Sequence, residues 1–250
     1  MVWEFFSFLV YTPLYNTLVF LIDTVPSGNV GVAIVLLTVL VKTLLFPLAK
    51  KAIHTQVAMK KVAPEVERIK KEFKDDQQKQ VQNMMDVYKK YNVNPLAGFA
   101  TILVQIPVVI GLYLIFFKGG LPSIDTTLLY TFISSPTQVS MSFFGIDLSG
   151  KSILLALCAG FMQYLIGRFS FEAPELKTQP GESLKDDVMR TLHLQTKYML
   201  PVLITVFAYT LSAAIALHWT VGNIFTVIQD YFVKKRLYAK DSRYGTGDKR

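Results

Sequence analysis

The sequence predicts an all-α integral membrane protein with five transmembrane helices. Hydrophobic side chains make up 52% of the 250 residues, and only 18% of the residues are charged. The apolar residues are gathered into long runs, as helices that cross a bilayer require. The net charge is +8, but the basic residues stand in blocks between the apolar runs. That arrangement indicates membrane topology rather than a surface for nucleic acid.

The distribution of Lys and Arg orients the predicted helices. Residues 1–41 contain neither, residues 48–95 contain eleven, and residues 118–150 contain one. Further basic blocks lie within residues 171–197 and from Lys234 to the end of the sequence. Because Lys and Arg concentrate in cytoplasmic loops, these two blocks and 48–95 are predicted to be cytoplasmic. The N-terminus and residues 118–150 are then predicted to lie outside.

The apolar run 198–233 decides the number of spans. As one helix it would be about 54 Å long, which is too long for a single crossing without extreme tilt. Basic residues flank it at both ends, so both ends are predicted to lie on one side of the membrane. We therefore predict two helices, with the turn between Ser212 and His218. The five predicted spans are about 29–47, 96–117, 152–169, 198–212 and 218–235.

Residues 48–94 are predicted to form a cytoplasmic helical hairpin. Apolar residues recur at helical spacing in two stretches, and the segment 73–77 between them suits a chain reversal. The first stripe holds Val62, Val66, Ile69 and Phe73, and the second Val81, Met84, Met85 and Tyr88. Basic residues would cover the surface of the hairpin: Lys60, Lys61, Arg68, Lys70 and Lys71.

The two ends of the sequence are predicted to lie outside the five-span core of residues 29–236. Residues 3–22 are apolar enough to span, but Pro13 interrupts them and Glu4 and Asp23 flank them. A helix on the outer surface followed by a linker is therefore favoured over a further span for residues 1–28. Residues 237–250 are predicted to be a basic cytoplasmic tail, disordered beyond about residue 240.

Lys42 is a charged residue inside the first predicted span. Placing an ammonium group in hydrocarbon costs a few kcal/mol. Lys42 lies about 7.5 Å from Pro47 along a helix, so its side chain can alternatively extend to the cytoplasmic headgroups. Other polar side chains share the predicted membrane region, and each alone is typical of an interhelical hydrogen bond. Together with Lys42 they favour a hydrated interior: Thr38, Gln105, Gln163, His218 and Asn223.

The sequence contains no pattern typical of an enzyme. Phosphate-binding loops, hydrolase elbows, dinucleotide fingerprints and metal-spaced histidine pairs are absent from it. Cys158 is the single cysteine, so an intramolecular disulfide is excluded. We therefore predict a protein without catalytic activity, cofactor or metal.

Two motifs resemble those of the YidC/Oxa/Alb membrane protein insertases, and the resemblance covers roughly residues 10–236. The first leads from the hairpin into the second span, and the second lies in the last span. The first reads Tyr88-Lys-Lys-Tyr91, Asn94-Pro-Leu-Ala-Gly98, Gln105-Ile-Pro107 and Gly111-Leu-Tyr113, and the second Ala216-Leu-His218-Trp219-Thr-Val-Gly-Asn223 with Gln229.

The resemblance implies a fold and a function. The fold has five core helices around a hydrophilic groove that opens to cytoplasm and lipid, with Trp219 among the groove residues. Lys42 stands where the family usually has Arg, and His218 where it often has Tyr. The implied function is to assist insertion and folding of membrane proteins in the bacterial cell membrane, without nucleotide hydrolysis. The implied partners are nascent membrane proteins and the bilayer, with the ribosome and the Sec translocon as further candidates and no specific nucleic acid.

Two other functions compete with this interpretation. A small-solute transporter or channel would use Lys42 and the glutamines to line a solute path. Transporters more often show internal repeats or Gly- and Pro-broken helices at matching positions, which this sequence lacks. A structural membrane protein would use the hairpin to recruit other proteins.

Overall fold

The computed structural model describes residues 2–94, 97–117, 121–169 and 198–244, and these are mostly helical. A short helix, a π-helical turn and a longer helix follow one another without a break: α1 (Val2–Phe6), Ser7–Tyr11 and α2 (Thr12–Thr24). The remaining helices are α3 (Val30–Leu44), α4 (Phe46–Glu72), α5 (Gln77–Lys90), α6 (Ala97–Phe117), α7 (Ile153–Phe169), α8 (Leu200–Thr210) and α9 (Ala213–Tyr244). The loop after α6 contains a β-hairpin with strands of two residues each, β1 (Ser142–Phe143) and β2 (Ile146–Asp147).

In the part of the chain that the structure describes, one helical segment has the length and composition of a membrane span by itself, and one bent pair of helices has them together. Among the described residues, Trp3–Thr24 meets that test alone, and α3 and α4 meet it together across a 60° bend. Three shorter apolar helices lie at Leu103–Phe117, Ile153–Phe169 and Leu200–Thr210. The structure is thus a helical protein with apolar helices in four of the five predicted spans, and α9 covers the fifth. The arrangement of these helices across a bilayer stays a prediction.

One core holds the apolar helices together. Tyr15, Leu18 and Ile22 of α2 are fully buried, and α2 packs on α3 and α6. α9 packs on α3 and α7, while α7 packs on α8. Gly160 allows α7 and α8 to approach closely, because a Cβ atom there would collide with the Thr205 hydroxyl. The N-terminal segment is therefore part of the helical core, and its position on or across the membrane stays a prediction.

The boundary between α8 and α9 corrects the predicted turn. The helix breaks at Leu211 and Ser212, and Ala213 already begins α9, so residues 213–217 are helical. The first amide groups of α9 have partners in the loop between α6 and α7, since Ala213 N donates to the Gly150 carbonyl and Ala214 N to the Leu148 carbonyl. These partners are distant in sequence, which is why no local turn signal marks the break.

The other end of α9 also differs from the prediction. The helix continues to Tyr244, whereas disorder was predicted beyond about residue 240. Polar helical residues beyond a span are stabilised by continuing an existing helix, which requires no new nucleation. The predicted loop 171–197 and residues 245–250 lie outside the described residues.

The loop between α6 and α7 is hydrogen-bonded to α2, to the start of α3 and to the start of α9. Asn16 of α2 donates to the Leu128 carbonyl at 2.8 Å and accepts from Tyr130 N at 2.7 Å. At the start of α3, Val30 N donates to the Ser140 carbonyl. Gly28, at φ +57°, approaches the loop so closely that a Cβ atom would collide with the Gln138 carbonyl. We call residues 121–152 the cap loop.

α4 and α5 pack together as a hairpin. Val62, Val66 and Ile69 of α4 are buried against Val87 of α5. Asp76 caps α5, its side chain accepting from Lys79 N at 3.0 Å. The α5 stripe differs from the predicted one, because Val81 and Met85 are 53% and 45% exposed. The actual inner face follows Met84, Val87 and Tyr88, whose spacing of three and four residues matches the helical period.

The base of the hairpin should loosen in acid. The Tyr91 hydroxyl bonds to the Glu65 carboxylate and Lys90 Nζ lies 3.4 Å from Glu65 Oε1, and these contacts hold the pKa of Glu65 below its ordinary value. A lowered folded pKa stabilises the hairpin at pH values above the ordinary pKa of 4.5, and this contribution is lost as the pH falls through the folded pKa. Hydrogen exchange of residues 62–93 should therefore accelerate in acid, after correction for intrinsic rates.

Two variants test the assignment of this effect to Glu65. Glu65→Gln should reduce the acid-induced change, because the amide does not titrate. Glu72→Gln, at an exposed position of the same helix, should leave the change intact. An equal acid response in Glu65→Gln and the unmodified protein would contradict the assignment.

Candidate substrate groove

The contact between α3 and α9 brings together three of the polar residues singled out in the sequence. Thr38 Oγ1 lies 2.9 Å from His218 Nδ1, and both side chains are buried, at 0% and 3% exposure. Thr38 Oγ1 also donates to the Ile34 carbonyl at 2.6 Å. Thr38 and His218 therefore form a packed interhelical hydrogen bond rather than an open, hydrated surface.

Lys42 lies one helical turn beyond Thr38, where the α3–α9 contact is less closed. Its side chain is half-buried, and Lys42 Nζ donates to Thr226 Oγ1 at 3.2 Å. Thr226 Oγ1 in turn donates to the Gly222 carbonyl at 2.9 Å. The ammonium group is therefore held by a hydroxyl on the neighbouring helix, which positions it beside α9 instead of leaving it directed away from the helices.

Gly222 provides the space that the Lys42 side chain occupies. A Cβ atom on Gly222 would lie 3.3 Å from Lys42 Cε and 3.7 Å from Thr38 Cγ2. A larger side chain would push the lysine stem away from Thr226. The glycine therefore matters here for close approach between two helices.

Asp230 is a further member of this cluster. Its side chain is only 6% exposed, and its carboxylate acts electrostatically on Lys42. His218, Gly222, Thr226 and Asp230 recur every four residues, so they follow one face of α9. The sequence analysis missed Gly222, Thr226 and Asp230. Their four-residue spacing from His218 is visible in the sequence, but it does not show which face of α9 meets Lys42.

A second polar contact lies on the other side of α9, toward α7. Asn223 Nδ2 donates to Gln163 Oε1 at 3.2 Å and to the Ala159 carbonyl at 3.3 Å. Thr220 Oγ1 bonds to the Ala216 and Leu155 carbonyls. The structure thus separates Gln163 and Asn223 from the cluster around Lys42.

Within the part of the chain that the structure describes, no hydrogen bond joins the other two predicted groove residues, Trp219 and Gln105, to either cluster. Trp219 is half-buried and packs against the main apolar core. Gln105 is half-buried on α6, and within the described residues no hydrogen bond joins it to Lys42. Of the predicted basic residues on the hairpin, Lys61, Arg68 and Lys71 are exposed, while Lys60 and Lys70 are half-buried.

A larger side chain at position 222 should weaken the contact between Lys42 and α9. In Gly222→Leu the new side chain occupies the path of the lysine stem, so the Lys42–Thr226 hydrogen bond should be lost. Gly222→Ala should have a smaller effect, because the flexible lysine stem can give way to one Cβ atom. Ile224→Val, on an exposed face of α9, serves as the control.

The measurement for these variants is crosslinking between Lys42 and a carboxylate introduced at position 226. A zero-length carbodiimide reagent should join Lys42 to the new carboxylate of the Thr226→Glu variant. The same crosslink should form much less in the Gly222→Leu/Thr226→Glu combination. Equal crosslinking in both proteins would contradict the assigned role of Gly222.

Comparison with known proteins identifies relatives along most of the chain. Residues 21–240 match the family described as 60Kd inner membrane protein. A protein of Hahella chejuensis is 34% identical over 92% of this chain, and one of Oceanobacillus iheyensis is 32% identical over 84%. A Fusobacterium nucleatum protein is 28% identical over 91%. All three carry the name membrane protein insertase YidC.

The relatives differ in length. The chain spans 35% of the Hahella protein, 76% of the Oceanobacillus protein and 98% of the Fusobacterium protein. The match to the family nevertheless includes α3, α9 and the hairpin between them in the sequence, which are the elements that hold Lys42 and its partners. The chain belongs to the 60Kd inner membrane protein family.

Proposed function

We propose that this chain is a membrane protein insertase that assists the insertion and folding of other membrane proteins in the bacterial inner membrane. The observation that carries the proposal is the match to proteins named membrane protein insertase YidC, which in one case extends over 91% of this chain and 98% of the relative. The absence of a phosphate-binding loop from the sequence agrees with a mechanism that does not hydrolyse nucleotides.

The proposed mechanism begins with the cost of moving polar groups through hydrocarbon. A substrate must carry the polar residues beside its apolar segment partway across the bilayer, and burying them unpaired costs several kcal/mol. A hydrated groove near Lys42 would lower that cost. The ammonium group would attract acidic residues of the substrate. The apolar segment would then move laterally into lipid, where the hydrophobic effect favours it.

In this proposal the five spans enclose the groove, and the hairpin and the C-terminus lie in the cytoplasm. The cluster of Lys42, Thr226 and Asp230 lines the groove, while the Thr38–His218 and Gln163–Asn223 contacts hold the helices around it. Nascent membrane proteins and lipid are the partners. The basic hairpin is available to anionic lipid or to the ribosome.

The proposed function is tested by reconstitution. Purified protein in liposomes should increase the insertion of a single-span substrate, measured as protection of its translocated end from added protease. Liposomes without the protein provide the background. Insertion at the background level for every substrate tried, together with solute flux through the reconstituted protein, would favour a transporter or channel instead.

Cysteine labelling tests the proposed topology. In a variant with Cys158 replaced, single cysteines at Asp75, Lys185 and Gly245 should react with an impermeant reagent from the cytoplasmic side. A cysteine at Ser135, in the cap loop, should react from the outside. Labelling of positions 185 and 245 from opposite sides would contradict the assignment of α8 and α9 as two spans.

A further inference from the structure

The tip of the β-hairpin in the cap loop combines a bulky apolar side chain with an unfavourable backbone conformation. β1 and β2 pair antiparallel, with Phe143 opposite Ile146. Phe144 and Gly145 form the two-residue turn between them, and both have positive φ, at +48° and +80°. Such turns usually contain Asn-Gly or Asp-Gly, because a bulky residue at positive φ is sterically strained. The local fold of the turn therefore does not favour Phe144.

The exposure of Phe144 is unfavourable as well. At 92% it is the most exposed large apolar side chain among the described residues. Its ring contacts the edge of the Phe143 ring, with 4.8 Å between the centroids, while Phe143 itself packs against the main core. Elsewhere the hairpin presents polar residues, since Ser142 and Asp147 are exposed. A contact outside the chain would offset both the strain and the exposure of Phe144.

The hairpin is fixed at the first turn of α3. Asn29 Nδ2 donates to the Ser142 carbonyl at 2.9 Å, and Asn29 Oδ1 accepts from Val32 N at 3.0 Å. Gly31 lies so close to Phe143 that a Cβ atom at Gly31 would collide with the Phe143 side chain. Because Phe144 follows Phe143 directly, it lies close to the end of α3.

Exposed apolar side chains continue from this end along α3. Val32, Leu36 and Leu40 are exposed and recur every four residues, so they follow one face of the helix. In a family of inner membrane proteins, an exposed apolar stripe of this kind is the surface that lipid covers. Phe144 lies where that surface ends, which in the proposed topology is the level at which hydrocarbon meets the outer headgroups.

We infer that Phe144 inserts into the outer leaflet and anchors the cap loop to the bilayer beside α3. The partner is the boundary between headgroups and acyl chains, where the ring leaves water while polar hairpin residues stay hydrated. Charge contributes little, because residues 121–152 contain only Asp125, Asp147 and Lys151 as charged residues. The inference rests on the proposed topology, which puts the start of α3 outside, and does not require insertase activity.

Tryptophan fluorescence in liposomes tests this anchor. Phe144→Trp is made in a protein that carries Trp3→Phe and Trp219→Phe, so that a single Trp reports. Ser149→Trp in the same background is the matched control, because Ser149 is an exposed residue just after the hairpin. Each protein is reconstituted into phosphatidylcholine liposomes with ordinary or brominated acyl chains, and iodide serves as the quencher in water.

The two positions should differ in opposite directions for the two quenchers. Brominated lipid should quench Phe144→Trp about twofold or more strongly than Ser149→Trp, as expected for a ring at the boundary of headgroups and acyl chains. Iodide should quench Ser149→Trp more strongly. The emission of Phe144→Trp should also lie at shorter wavelength, because the ring is out of water.

Equal quenching by iodide at both positions would overturn the inference, since it would show that Phe144 is in water. Protection from iodide without quenching by brominated lipid would also overturn it, because a protein surface, such as a second copy of the chain, would then cover the residue. If the background variant does not accumulate, Phe144→Cys and Ser149→Cys with a polarity-sensitive label, in the protein with Cys158 replaced, give the same comparison. Labelling of a cysteine at Ser135 from the cytoplasmic side would instead overturn the proposed topology.

Discussion

Lys42→Glu should nearly abolish insertion of substrates with acidic flanks. The substitution removes the donor to Thr226 and places a carboxylate where the ammonium group stood. An incoming acidic flank is then repelled, since two like charges about 4 Å apart at an effective dielectric constant near 20 repel by about 4 kcal/mol. The loss should therefore exceed about tenfold, and neutral-flank substrates should be affected less.

Two further variants separate charge from hydration. Lys42→Arg should be tolerated, since it retains the positive charge and a hydrogen-bond donor for Thr226. Lys42→Gln should reduce acidic-flank insertion moderately, because it is polar without being charged. The measurement is protease-protected insertion of the matched substrate pair. Equal losses for both substrates in Lys42→Glu would show that the charge of Lys42 does not select substrates.

Removing the outer part of the hairpin should abolish insertion while leaving the membrane core folded. Glu65 Oε1 and Lys90 Nζ lie 3.4 Å apart, so α4 and α5 are close together at these two residues. A short Gly-Ser linker can therefore replace residues 66–89. The deletion removes most of the small hairpin core, including Val66, Ile69 and Val87, and takes no residue from the main core. We expect about a tenfold or greater loss of insertion, with unchanged incorporation into the membrane.

A charge variant distinguishes the shape of the hairpin from its basic surface. Arg68→Gln, Lys70→Gln and Lys71→Gln together retain the apolar stripes and remove three positive charges. If the hairpin binds acidic partners, this variant should lose insertion, and insertion by the unmodified protein should fall as the salt concentration rises. Normal insertion by the deleted protein would contradict a role for the hairpin in insertion.

The sequence was most informative where a pattern is local. Apolar runs and their breaks indicated the helices, and the charge of Lys42 within such a run was sufficient to single it out. The stripe of Val62, Val66 and Ile69 correctly gave the inner face of α4. On α5, two overlapping helical registers were available, and only the packing against α4 selects Val87 over Val81.

The partners of Lys42 were not predictable in the same way. Asp230 stands near the end of the last predicted span, close to Lys234, Lys235 and Arg236, where a charge is ordinary at a membrane surface. Its relation to Lys42 depends on how α3 and α9 pack, and these two helices are far apart in the sequence. The break before Ala213 was not predictable for the same reason. The first amide groups of α9 donate to carbonyl groups of the cap loop, which is distant in the sequence.

The cap loop has a consequence for the electrical properties of the membrane. Its bonds reach α2, α3 and α9, and Leu148 beneath it is fully buried. Lys42 lies about 20 Å farther along α3 from the end bound to the loop, at a rise of 1.5 Å per residue. In the proposed topology, water that enters around Lys42 would meet this apolar, hydrogen-bonded layer before it could connect the two compartments. The barrier would then be thinner for a polypeptide, while the membrane would still retain its proton gradient.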